Sequence, residues 1–72
     1  STPLMLAARN GHMGVVRKLL SNPDTDLNAL NEAGVAADTW AEQNANTDIA
    51  ERIRAERKRR GLPAPAMRAT IE

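Results

Sequence analysis

The sequence predicts an all-α chain built from helix–turn–helix units joined by a short loop. Three observations carry this expectation. Residues 2–20 hold two short runs of apolar residues at helical spacing, separated by Gly11 at a tight turn. Ser21-Asn22-Pro23-Asp24-Thr25-Asp26 is a cluster of turn formers, and Pro23 forbids the second helix to continue. The register then returns: laying Leu6-Ala7 on Trp40-Ala41 gives a period of 34 residues.

The first helix begins at Thr2, a good capping residue. Pro3 follows at the first helical position, where a missing N–H costs nothing. Leu4, Leu6, Ala7 and Ala8 give it an apolar face with small residues for close packing. Gly11 falls where the chain must leave the helix with positive φ. The second helix runs from about His12 to Leu20, with Val15, Val16, Leu19 and Leu20 forming its apolar stripe.

Thr2-Pro3-Leu4, Leu6-Ala7-Ala8, Gly11-His12, then Val15-Val16 and Leu19-Leu20 resemble the ankyrin repeat signature over about 20 contiguous positions. The fold implied is a helix–turn–helix repeat solenoid with a finger loop between units. Met5 departs from the pattern, standing where the family usually places a His that braces neighbouring repeats. His12 follows the turn Gly, where the family's His ties down the turn, and the same role is expected of it here. Leu27-Asn28-Ala29 is similar to the segment that leads into a finger, and Leu30 to Val35 would be that finger. Gly34 supplies its turn geometry, and Asn31 can hydrogen-bond back to the turn backbone.

The second unit keeps the register and loses much of the signature. Ala36 replaces the capping Thr, Asp38 a core Leu, and Ala45 the turn Gly; Ala45 held left-handed would cost roughly 1 kcal/mol. Thr39-Trp40-Ala41-Glu42 matches a capping box, so the helix is expected to start at Trp40 with Asp38 solvated ahead of it; the alternative is local disorder over residues 34–40. Trp40 reads as core, or as an exposed anchor. The last helix is expected from Asn46 or Thr47 to about Arg60, with Asp48–Arg52 and Glu56–Arg60 as i,i+4 pairs and its end projecting into water. Gly61 stops it, and residues 62–72 read as a flexible tail, or as a docking peptide. The chain thus divides into residues 1–30, a repeat lacking its leading finger; 31–60, a degenerate C-terminal capping repeat; and 61–72, the tail. It is expected to be the C-terminal part of a longer array, or to gain burial by self-association, because about three repeats are generally needed for stability.

Seventy-two residues make one small domain at most. With no Cys and a single His, neither disulfides nor the common zinc clusters are available. No apolar run approaches the ~20 residues that cross a bilayer. Charge is uneven: three cations face seven carboxylates over residues 1–51, and six face one over residues 52–60. Arg57-Lys58-Arg59-Arg60 reads as a solvated helix end, or as a nuclear-import or phosphate-binding patch. Nucleic-acid binding lacks its stacking aromatics. No phosphate loop, metal spacing or catalytic pair stands out, so neither an enzyme nor a cofactor is expected.

The function implied by the resemblance is protein–protein recognition without chemistry, on a concave surface of finger tips and first helices. Its variable positions map onto Met5, Arg9 and Asn10 of the first helix, Leu30, Glu32, Ala33 and Val35 of the finger, and Gln43 and Asn44 of the third helix, although Met5, like Met13, lies next to apolar helical positions and reads on its own chemistry as packing. Leu30 and Val35 could equally pack against a neighbouring finger. The other reading is structural: a segment that terminates a solenoid or mediates self-association. The partner expected is another protein, with no membrane. The compartment implied is intracellular, cytoplasmic or, through the basic run, nuclear.

Overall fold

The computed structural model describes residues 2–62 and is all-α. Helix α1 spans Pro3–Asn10, α2 Met13–Leu20, α3 Ala37–Gln43 and α4 Thr47–Arg59. α1 and α2 form one hairpin, α3 and α4 the other. The offset between equivalent helix starts is 34 residues, as the repeated register requires. α1 packs along α3 and α2 against α4, so the two hairpins stack side by side.

Local chemistry explains each boundary. Thr2 Oγ1 accepts the Met5 N–H at 3.2 Å. The Met5 sulfur in turn accepts the Thr2 N–H at 3.4 Å, closing a capping box in which a thioether replaces the usual Glu or Gln. Helix α1 ends in a Schellman motif. Gly11 is left-handed at φ 78°, and the His12 N–H donates to Ala7 O at 2.9 Å. The same motif ends α3, where the Asn46 N–H donates to Ala41 O at 2.8 Å. Here the left-handed residue is Ala45, at φ 63°, so the second unit holds the turn without the glycine that relieves it.

The core lies between the hairpins. Leu4, Met5, Ala8, Val16, Leu20, Leu27, Ala41, Ile49, Ala50 and Ile53 form one buried cluster, with Met13, Leu19, Ala29 and Trp40 partly buried against it. Trp40 is therefore half-buried against the core. Its ring also carries the Arg9 guanidinium 5.4 Å from the centroid, a cation–π contact across the two units.

Five expectations need correction. α3 starts at Ala37, not Trp40, and Ala36 caps it without any side-chain bond, so the Thr39–Glu42 capping box does not form. Asp38 lies inside the first turn and is only 5% exposed. It is not solvated because α4 brings guanidinium groups to it. The last helix does not project into water: Arg57 is 5% exposed and Arg60 is half-buried, each spent on hydrogen bonds to the rest of the fold. His12 is exposed and donates no side-chain cap bond to α2. Its equivalent in the second unit, Asn46, does the bracing instead, with Nδ2 donating to Ala8 O at 2.9 Å and Arg9 O at 3.1 Å. His12 occupies the matching position on the face turned away from the second unit. The expected Glu56–Arg60 pair forms at 2.8 Å. Asp48 Oδ1 accepts the Ile49 N–H, and no Asp48–Arg52 pair is made among the described residues. Of the tail expected at residues 61–72, residues 63–72 lie outside the described residues.

Candidate protein-binding surface

The finger is a minimal hairpin. Leu30 and Ala36 form an antiparallel bridge, and the Asn31 N–H donates to Val35 O at 2.9 Å. Asn31 Oδ1 accepts the N–H groups of Ala33 and Val35, both at 2.9 Å, which is the Asx bonding expected of it. Gly34 turns the chain at φ 77°. The tip is thus fixed by its own backbone, leaving the side chains of Glu32 and Ala33 exposed, Leu30 41% exposed and Val35 half-buried.

The first helices contribute Arg9 and Asn10 from the end of α1, and Gln43 and Asn44 from the end of α3, all exposed. Packing of α1 along α3 brings these two pairs to the same edge. Arg9 is partly engaged by Trp40, and Asn44 Nδ2 donates to Trp40 O at 2.8 Å, closing the end of α3. Met5 is different. It is 1% exposed, with its sulfur turned to the Thr2 N–H, so the structure places it in the core rather than on the surface. A branchless side chain with a weak sulfur acceptor fills the site where the family pattern has a polar His.

Beside the finger, the open face of the second unit carries a groove of about 690 Å³ between the finger, α3 and the end of α4. Leu30, Val35, Ala36, Thr39, Arg54 and Leu62 are among the residues that line it. Asp38 and Arg57 reach its inner side. Arg57 donates to Asp38 Oδ1 at 2.9 Å and Oδ2 at 3.2 Å, to Leu27 O at 3.0 Å and to Asn28 Oδ1 at 2.9 Å. Arg54 donates to Asp38 at 2.9 Å and to Glu42 at 2.9 Å. Burial pushes the Asp38 carboxyl up, but the hydrogen bonds and charges of Arg57 and Arg54 outweigh it and hold the group below its ordinary value. Glu42 and then Asp38 raise Arg54 in turn. Both carboxylate oxygens of Asp38 are committed to guanidinium groups.

Sequence reasoning missed this cluster. The signal was available in the spacing of α4. Ile53, Arg57 and Arg60 lie at i, i+4 and i+7, so two arginines continue the buried stripe of Ile49 and Ile53. The basic run therefore loses two of its four cations to the interior. Arg59 pairs with Glu56, leaving Lys58 and Arg59 exposed. Among the described residues there is no cluster of metal-ligating side chains, and no helix is long and apolar enough to cross a membrane.

Two stacked helical hairpins linked by a finger define a helical-repeat protein of the kind that stacks identical units. Residues 1–32 match the family model described as Ankyrin repeat, and that match supports an ankyrin repeat assignment for this stretch. No curated protein and no solved structure matches the chain. Ankyrin repeats generally serve as non-catalytic modules of protein–protein interaction.

Proposed function

We propose that the chain binds another protein through its finger and the ends of its first helices, using Arg9, Asn10, Leu30, Glu32, Ala33, Val35, Gln43 and Asn44. The observation that supports this reading is the finger's self-sufficiency. Its backbone is held by the Asn31 side chain and the Leu30–Ala36 bridge, so the tip is ordered before any partner arrives and is presented at little entropic cost. Met5 is no part of the surface, because it has no exposed area to offer. The test is site-specific photocrosslinking with a reactive residue placed at Ala33 or, on the outer face, at Arg52. A discrete adduct from position 33 and not from position 52 is expected. The same captured species from both, or from 52 alone, refutes the assignment.

A second reading is favoured by one specific pattern, and it concerns the second unit's role as a C-terminal cap. Leu4, Ala8 and Leu20 are buried in the first unit. At the same positions the second unit has Asp38, Glu42 and Arg54, which pair with one another. Three apolar contacts have become a set of matched charges on the side where a further unit would stack. A face of that composition tolerates water, as a terminal unit must. Leu6 (43% exposed) and Val15 (51% exposed) present apolar surface on the opposite end, at the positions that Trp40 and the buried Ile49 occupy in the second unit. That end is the one suited to receive a preceding unit. Appending consensus repeats ahead of Thr2 is expected to raise the melting temperature, whereas appending them after Leu62 is not. Equal gains at both ends refute the cap.

A further inference from the structure

Helices α2 and α4 enclose a second cleft, of about 350 Å³, which shares no residue with the finger groove or with the proposed protein-binding surface. Arg17 comes to it from α2, and Arg52 and Arg59 from α4. Its charge is unbalanced. Three guanidiniums meet one carboxylate, Glu56, which leaves two positive charges in excess. Arg59 donates to Glu56 through Nε and Nη2, but Glu56 is shared with Arg60, whose Nε meets it at 2.8 Å. Glu56 therefore keeps a guanidinium partner when Arg59 turns to a ligand. Arg17 and Arg52 make no side-chain hydrogen bond or ion pair among the described residues. The backbone does not oppose an anion either. The carbonyl end of a helix repels negative charge, and α2 ends here, yet each of its last four carbonyls has a donor. The Ser21 N–H takes Arg17 O at 3.1 Å, Ser21 Oγ takes Lys18 O at 2.7 Å, the Asn22 N–H takes Leu19 O at 3.1 Å and Arg60 Nη2 takes Leu20 O at 2.9 Å.

We infer that this cleft binds a phosphate monoester carried by a soluble small molecule. The two excess charges match the monoester dianion, whose second pKa of about 6 leaves it doubly charged at neutral pH. The planar guanidinium fork fits phosphate oxygens in pairs, which a simple carboxylate would use less fully. Leu20 and Ala55 also line the cleft and give the rest of the ligand an apolar wall. A membrane headgroup fits less well. Three cations meet seven carboxylates over residues 1–51, so an anionic surface would repel most of the chain. The inference stands whether or not the finger binds a protein.

NMR titration of the full chain tests it, reading the arginine Nε–H resonances at constant ionic strength and about pH 8, where a monoester is a dianion. The probes are methyl phosphate and dimethyl phosphate, the second a diester with a single charge. Methyl phosphate is expected to shift Arg17, Arg52 and Arg59 along one saturating curve, and dimethyl phosphate to bind at least about tenfold more weakly. Arg17 and Arg52 are exposed, so Arg17→Gln and Arg52→Gln should keep the amide spectrum of the fold. Each should weaken methyl phosphate about three- to fivefold. Lys58→Gln removes the same charge beside the finger groove and should leave the affinity unchanged. Shifts that do not saturate, equal binding of the two esters, or an equal response to the three substitutions would reveal only a diffuse positive field and overturn the inference. Sedimentation of the chain with phosphatidylcholine vesicles containing phosphatidic acid, a lipid-borne monoester, would also overturn it, because the ligand then belongs to a membrane surface.

Discussion

Asp38→Leu returns to the second unit the residue type that its register partner Leu4 provides in the first, and it is nonetheless expected to destabilise the protein strongly. The reason is Arg57. Its side chain is 7% exposed and sends two of its hydrogen bonds to Asp38. With the carboxylate gone, a buried guanidinium keeps only Leu27 O and Asn28 Oδ1, both uncharged. Removing one partner of a buried pair costs about 3–5 kcal/mol, most of it the penalty of the charge left behind. A domain of this size has only ~4–10 kcal/mol of stability in total, so a loss of about 3 kcal/mol lowers its melting temperature by roughly 12–24 °C.

The double variant Asp38→Leu/Arg57→Met removes both charges and fills their volume with apolar groups. Replacement of a whole buried pair is commonly neutral or stabilising, but Arg57→Met also takes the donors from Leu27 O and Asn28 Oδ1, so the double variant is expected about 1–3 kcal/mol below the parent and above the Asp38→Leu single. Arg57→Met alone should cost less than Asp38→Leu, because Asp38 retains Arg54 at 2.9 Å. Urea unfolding followed by far-UV circular dichroism measures all four corners of the cycle. A single Asp38→Leu variant as stable as the parent refutes the reasoning, and so does a double variant that loses the sum of both singles.

Ala45→Gly should stabilise by about 1 kcal/mol in the same unfolding assay, since Ala45 is held left-handed at φ 63°. Asn46→Ala removes both hydrogen bonds to the end of α1 and should cost about 1–2 kcal/mol, with faster amide exchange at Gly11 and His12 as the local sign. Stability should also fall on acidification. Asp38 is depressed and Glu56, held by Arg59 first and then Arg60, lies at about 2. A depressed folded-state pKa contributes stability above the unfolded value, near 4, and loses it as pH drops through the folded one. The melting temperature is therefore expected to be level above about pH 5 and to fall between about pH 4 and 2. Asp38→Leu/Arg57→Met should flatten part of that fall.

The helices, their turns and the finger were legible because local chemistry specifies them. Thr2, Pro3, Gly11, Pro23, Asn31 and Gly34 each act within a few residues of their own position, and each does in the structure what its type implies. The start of α3 was not legible, because Ala36 gives no local signal and Thr39 with Glu42 gives a false one. Tertiary register decided the matter: α3 must match α1, and Asp38 inside the first turn is tolerated only because α4 supplies two guanidiniums from 16 and 19 residues away. His12 misled for the converse reason. Its role depends on which face of the unit a neighbour covers, and Asn46 occupies the covered one. Met5 carries two signals, a family position that points to the surface and a side chain that points to packing, and in the structure packing prevails. An apolar residue three places after a capping Thr is as ready to turn inward as a His is to turn out.

Arg60 shows how the last helix holds the whole arrangement. Its five N–H donors are all engaged. Nε meets Glu56 at 2.8 Å, Nη1 meets Thr25 O at 2.9 Å and Pro23 O at 3.4 Å, and Nη2 meets Leu20 O at 2.9 Å and Asn22 O at 3.0 Å. Leu20 O is one of the carbonyls that the end of α2 leaves without a helical partner, so an arginine 40 residues away caps that helix and places a positive charge at its negative end. Arg57, one turn earlier, takes Leu27 O and Asn28. Between them the two arginines fasten the connection that runs from α2 to the foot of the finger. The same linker 21–28 is also held by its own turns and by Leu27 in the core. The charge that reads in sequence as a solvated basic end thus fixes the base from which the finger projects, and any loss of α4 should reach the proposed binding surface through that base before it reaches the finger's own turn.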